Sequence, residues 1–131
     1  MRIDESRAGT RPGGTEHYTG HVWMDVLAQP DERSRISMAR VYFSPAARSD
    51  WHQHPRGQVI HVTEGIGLIQ DRGGRVRTLR AGDTVIAAPG EWHWHGAAPT
   101  TMMTMIGVQE AVPDEDVVTW GDPVSDEEYR A

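Results

Sequence analysis

From His21 to Glu110 the chain is a succession of short apolar runs, interrupted at near-regular intervals by glycine and proline. That rhythm suits strands and leaves no room for long helices. The runs His21–Leu27, Arg35–Phe43, Gln58–Glu64, Gly67–Asp71, Arg75–Arg80, Thr84–Ala88 and Thr101–Glu110 are the expected strands. Between them stand turn formers such as Gln29-Pro30-Asp31, Ser44-Pro45, His54-Pro55-Arg56-Gly57, Ala81-Gly82-Asp83 and Pro89-Gly90. Asp71-Arg72-Gly73-Gly74 separates two alternating runs and reads as a hairpin tip. Many short strands with such turns predict an all-β sandwich or barrel.

The ends are different in character. Residues 1–16 are charged and rich in glycine, with Arg11-Pro12-Gly13-Gly14 as a turn signal, and read as a flexible or loosely docked lead-in. Residues 17–112 form the expected barrel, and residues 113–131 an acidic tail packing on it. A short helix is expected near Ser125–Tyr129, with Ser125 as its cap and Glu128 three residues on. The 131 residues suffice for one domain with its own core.

Composition removes whole classes of chemistry. Cysteine is absent, which excludes disulfides, thiolate metal sites and cysteine nucleophiles. All 13 basic residues are arginine, so there is no lysine for a Schiff base or a phosphate-binding loop. No serine lies in a G-x-S-x-G elbow. A net charge of −6 offers nucleic acid little to bind, and no apolar stretch approaches a membrane span. The expected setting is soluble and cytoplasmic.

Five of the seven histidines fall between residues 52 and 95. His52 and His54 are two apart beside a strand-like segment, so both rings point to one face. Gln58 opens the next strand after the Pro55-Arg56-Gly57 turn and can aim its amide oxygen at the same point, while His93 arrives from a later segment. Neutral imidazole and amide oxygen suit manganese, iron, nickel or zinc as a single divalent ion, with positions left open for chemistry. An isolated H-x-H pair would more simply be two surface histidines beside a loop.

The stretch Trp51-His52-Gln53-His54-Pro55-Arg56-Gly57-Gln58, with Gly65 following, resembles the first cupin motif. Gly82-Asp83 and then Pro89-Gly90-Glu91-Trp92-His93 resemble the second. This resemblance implies a jelly-roll barrel (a double-stranded β-helix) with the metal inside it. Tyr18-Thr19-Gly20, the run His93 to Thr101, Gln109-Glu110 and the ending Ser125 to Arg130 are similar to one subgroup. It comprises the small bacterial cupins related to carboxymuconolactone decarboxylase, which include manganese-dependent hydroxynitrile lyases. By that resemblance the metal ligands are His52, His54, Gln58 and His93, manganese is the first candidate ion, and the chain forms at least a homodimer.

Gln58 stands where many cupins have glutamate, so a divalent ion would keep its full formal charge and act as a stronger Lewis acid. His95, two residues beyond His93, would face the same cavity as a general base, or equally serve as a hydrogen-bond donor within the barrel. Gln109 is expected to reach the cavity from the last strand, by the same resemblance. Where cyanohydrin-cleaving members are expected to carry histidine this chain has Met105, and Met103 and Met105 are expected to line an apolar pocket together. By the resemblance Ala39 and Val41 face the cavity, and Arg40 and Tyr42 face away. His61 is expected to point away from the metal, and His17 and His21 to face solvent.

Three functions fit this pattern. The first is a metal-dependent lyase or isomerase acting on a small carbonyl or hydroxy compound. The second is an iron-dependent dioxygenase, and the third a non-catalytic cupin that binds a small ligand or metal.

Overall fold

The computed structural model describes residues 1–5 and 9–131 of the chain. The described residues form β1 (Arg11–Pro12), β2 (Tyr18–Thr19), β3 (Val22–Ala28), β4 (Ile36–Phe43), β5 (Arg48–Ser49) and β6 (His52–Gln53). They continue as β7 (Gln58–Asp71), β8 (Arg77–Arg80), β9 (Thr84–Ala87), β10 (His93–Ala97), β11 (Met103–Glu110), β12 (Thr119–Trp120) and a short helix, α1 (Asp126–Arg130). The strands curl into one sheet in the order β1-β3-β4-β11-β7-β10-β5-β2, an all-β barrel as the sequence predicts.

The fold turns on β7. Its first half pairs with β11 and β9, and its second half with β10 and β8. One strand therefore passes from one face of the barrel to the other, as strands do at sandwich corners. The bend falls at Gly65, whose φ is 80° and where a Cβ would overlap the Met102 carbonyl oxygen. The sequence reading divided this segment into Gln58–Glu64 and Gly67–Asp71, and the structure joins the two through Gly65.

Period-2 burial follows from the pleat: Gln58, Ile60 and Val62 are buried, while Val59, His61 and Thr63 are exposed. Phe43, Ile60, Val62, Ile69, Met103 and Met105 belong to the main core between the two faces. On the outer side Asp25 receives the Tyr42 hydroxyl at 2.6 Å and lies 3.9 Å from Arg40. The other expected strands begin or end within one or two residues of their predicted limits.

β10 was not among the expected strands. It lacks alternation because both of its faces are covered, and every residue from His93 to Ala97 is buried. The tail supplies the outer cover. Trp94 packs against Tyr129 of α1, whose hydroxyl donates to the Ala97 carbonyl at 2.7 Å. Ser125 and Glu128 cap the helix reciprocally, as predicted. Buried Arg48 donates to the Val124 carbonyl at 2.8 Å and to Asp126 at 2.9 Å, with its guanidinium over the Tyr129 ring.

At the opposite end of the chain, β1 pairs Arg11 with Met24 and Pro12 with Trp23, so part of the 1–16 lead-in is docked on the sheet. No helix among the described residues is long and apolar enough to cross a membrane.

Gly96 pairs with Arg48 across β10 and β5, and a Cβ there would overlap the Ala47 carbonyl oxygen. Gly96→Ala should therefore force apart β5 and β10 and loosen the Arg48 anchor. The expected loss is about 1–3 kcal/mol in chemical denaturation. An unchanged midpoint would show that the backbones can separate without cost.

Candidate metal centre

Four buried side chains converge where β6, the turn after it, the start of β7 and β10 meet. His52 and His93 are direct neighbours across β6 and β10, with ring centroids 4.4 Å apart. The His54 ring lies 5.3 Å from that of His52 and 6.0 Å from that of His93. The Gln58 amide oxygen, Oε1, is 3.0 Å from His93 Nε2.

Backbone carbonyls decide which nitrogen of each ring is free. His52 Nδ1 donates to Asp50 O, His54 Nδ1 to Val117 O and His93 Nδ1 to Glu91 O, each at 2.8 Å. In a neutral imidazole this places the proton on Nδ1 and leaves a lone pair on Nε2, the form that binds metal. Burial keeps the rings neutral: it is the first cause of a pKa lowered to about 3 at His52 and to about 4 at His54, and it also lowers that of His93.

The amide of Gln58 is oriented by a chain of hydrogen bonds. Gln109 Nε2 donates to Ser37 Oγ at 2.9 Å, and Gln58 Nε2 donates to Gln109 Oε1 at 3.2 Å. Gln58 Oε1 is thus turned toward His93 Nε2, so two lone-pair atoms face each other at 3.0 Å. A cation between them removes that repulsion. His54 Nε2 is buried with no hydrogen-bond partner, a second atom whose need a cation would meet. The donor set therefore fits a divalent ion.

His95 differs from these three. Its ring is buried, and neither nitrogen has a hydrogen-bond partner. Burial, then His52, His93 and His54, hold its pKa well below the ordinary value, so it stands as a free base. The tightest group of ring nitrogens is that of His52, His93 and His95, within 4.8 Å of one another, a three-histidine cluster able to bind a metal. His54 lies outside that trio, yet its ring carries the carbonyl anchor that His95 lacks.

Beside the cluster is a cavity of about 250 Å³. Ala39, Val41, Met105, His95 and Gln109 line it. Met103 is fully buried in the core beside Gly67 and is not on the cavity wall. Met103 and Met105 share one face of β11, which pairs with β4 without a shift, but Met103 lies opposite Phe43 and packs in the core, whereas Met105 lies opposite Val41 on the cavity wall.

His61 faces outward and bonds Thr84 at 2.8 Å, as expected. His21 is exposed. His17 is half-buried: it stacks on Trp120 with centroids 4.2 Å apart and lies 4.0 Å from Asp50, so the expectation that it merely faces solvent is corrected.

Sequence reasoning missed the walls supplied by distant segments. Val117, Val118 and Trp120 come from the tail, and Tyr18 from β2. β12 pairs Trp120 with His52, bringing the two rings to 5.1 Å. The Val-Val-Thr-Trp run of the tail was the available signal, a strand-like segment inside an acidic stretch.

The cupin domain model matches residues 39–108, and the chain belongs to the cupin family. Over 129 residues it is 43% identical to an (R)-mandelonitrile lyase of Granulicella tundricola, covering 98% of this chain and 96% of that protein. A cupin-like protein of Thermotoga maritima has a solved structure that is 37% identical, covers 96% of each chain and superposes with a TM-score of 0.86. The polyketide cyclase RemF of Streptomyces resistomycificus, at 20% identity, shares the fold over 99% of this chain and 90% of its own, with a TM-score of 0.70. A relationship to carboxymuconolactone decarboxylase itself is not among these similarities.

The depressed histidine pKa values set the acid response of the metal-free protein. Unfolded imidazoles bind protons near about pH 6.5, but His52 and His54 bind them in the fold only near about 3 and about 4. Between those limits the unfolded chain holds more protons, so stability falls as pH drops below about 6.5. Chemical denaturation of chelator-treated protein should show that decline, and a flat profile from pH 7 to 4 would contradict it.

Proposed function

We propose that this chain is a metal-dependent lyase acting on a small, partly apolar hydroxy or carbonyl compound, with a cyanohydrin as the first substrate class to test. One observation carries the reading: three histidines with Nδ1 bound to carbonyls converge with an oriented amide oxygen, beside a cavity that keeps one unanchored imidazole. The 43% identity to an (R)-mandelonitrile lyase over nearly the whole chain supports it.

His52, His54, Gln58 and His93 are the ligands in this reading. A divalent ion held by them, manganese first and iron, nickel or zinc as alternatives, supplies a Lewis acid that polarises the substrate oxygen. Because the four ligands are neutral, none of the ion's charge is cancelled. Gln109 acts through Gln58 by fixing its amide, and it is a positioning residue.

His95 moves the proton. A free ring nitrogen takes the proton from the substrate hydroxyl as the carbonyl forms. The bond to the nitrile carbon breaks, its electron pair leaves with cyanide, and the imidazolium returns the proton to give hydrogen cyanide. Ala39, Val41, Met105 and Trp120 surround the organic group and keep water from it. Where a second base would assist the leaving group, Met105 offers only an apolar contact, so His95 carries both proton steps.

The test is benzaldehyde release from mandelonitrile by metal-loaded protein, with and without oxygen. Turnover should be equal in both conditions, and His95→Ala should lose about 100-fold or more while retaining metal. Oxygen-dependent turnover would instead mark a dioxygenase. Metal-loaded protein that binds small carbonyl compounds but turns none over would favour the binding-module reading.

A further inference from the structure

Tyr18 is a partly buried phenol that the scheme above leaves unused. It lines the cavity, and its hydroxyl makes no hydrogen bond among the described residues. Its ring is fixed on two sides. Phe43 meets it edge-on at 6.3 Å and Trp120 at 5.9 Å. Those same two rings contact the chemical groups: Phe43 lies 5.6 Å from His95, and Trp120 5.1 Å from His52. The phenol is therefore one ring removed from both the free base and a metal ligand.

The other polar side chains on the wall are already engaged. Ser37, Gln109 and Gln58 bond one another, and Ser49, the strand partner of Tyr18, accepts the His95 backbone N–H at 3.2 Å. His52 and His54 are held by carbonyls. Tyr18 and His95 are left without an internal partner, one a donor and the other an acceptor. A hydroxyl on the cavity wall with no internal partner is a donor that a ligand oxygen can engage.

We propose that Tyr18 contacts the substrate, its phenol O–H donating a hydrogen bond to the oxygen of the hydroxy or carbonyl compound held in the cavity. The proposal rests on the functional reading above and adds a residue to it. No proton leaves the phenol. Burial, and then the charge of Asp50, push its pKa up to about 12, so the group remains a donor across the working range. The bond strengthens as charge gathers on the oxygen, which makes it a contribution to turnover as well as to binding.

Tyr18→Phe tests this, because the ring contacts persist and only the unpartnered hydroxyl is removed. The probes are acetophenone, which has an acceptor oxygen, and ethylbenzene, which has the same apolar body without one. Binding to metal-loaded parent and variant can be read from tryptophan fluorescence, with metal content and thermal midpoint measured on both. The variant should bind acetophenone about three- to tenfold more weakly, with ethylbenzene affinity, metal content and midpoint unchanged. Equal acetophenone affinity in parent and variant overturns the role of Tyr18 and leaves the functional reading standing. An equal loss for both probes makes Tyr18 a packing residue and overturns the proposal. A parent that binds acetophenone no better than ethylbenzene overturns the oxygen-binding reading of the cavity, and the role of Tyr18 with it.

Discussion

Three backbone carbonyls, those of Asp50, Glu91 and Val117, each accept the Nδ1 proton of a buried histidine, and the site depends on these bonds. An imidazole buried without such a partner can turn and change tautomer. One that is held presents a single lone pair in a single direction. Two of the carbonyls lie two residues before their histidine, so the local chain supplies them. The third is 63 residues away in the tail. The geometry of His54 is therefore a property of the whole fold, and the chain must close before that ring is set.

This dependence gives the tail a purpose beyond covering the barrel. Its far end is pinned by buried Arg48, by the Tyr129 hydroxyl on Ala97 and by the Trp51 indole on Glu128. Its middle pairs with β6 and lays Trp120 against His52. Arg48 lies opposite Gly96, one residue from His95, so the anchor and the chemistry share the β5–β10 contact. Gln58 shows the same economy: its amide is directed by Gln109 and Ser37, side chains on the two adjoining strands β11 and β4.

Local patterns in the sequence were enough for an all-β barrel and for setting His52, His54 and Gln58 around a single turn, while the grouping of these with His93 as ligands came from the resemblance to the two cupin motifs. β10 lay hidden because burial on both faces erases alternation. The pairing of β6 with β12 was invisible for another reason: nothing in residues 113–120 indicates which strand they will meet. His17 was expected to face solvent, and nothing in the local sequence indicates that it and Tyr18 pack on Trp120, a residue about a hundred positions later. Period-2 reasoning sets Met103 and Met105 on one face of β11, where the structure has them, but alternation does not tell where along the strand the cavity ends. What escaped was long-range pairing and the extent of the cavity.

The central claim is that the ion is bound by His52, His54, Gln58 and His93, with His95 left free, although it is His95 whose ring nitrogen lies within 4.8 Å of those of both His52 and His93. Elemental analysis of the parent, His54→Ala and His95→Ala, purified without added metal, decides between the two arrangements. The account predicts about one divalent ion per chain in the parent and in His95→Ala, and its loss in His54→Ala. Retention by His54→Ala with loss in His95→Ala would transfer the ligand role to His95, and a parent that takes up no manganese, iron, nickel or zinc would contradict the account altogether.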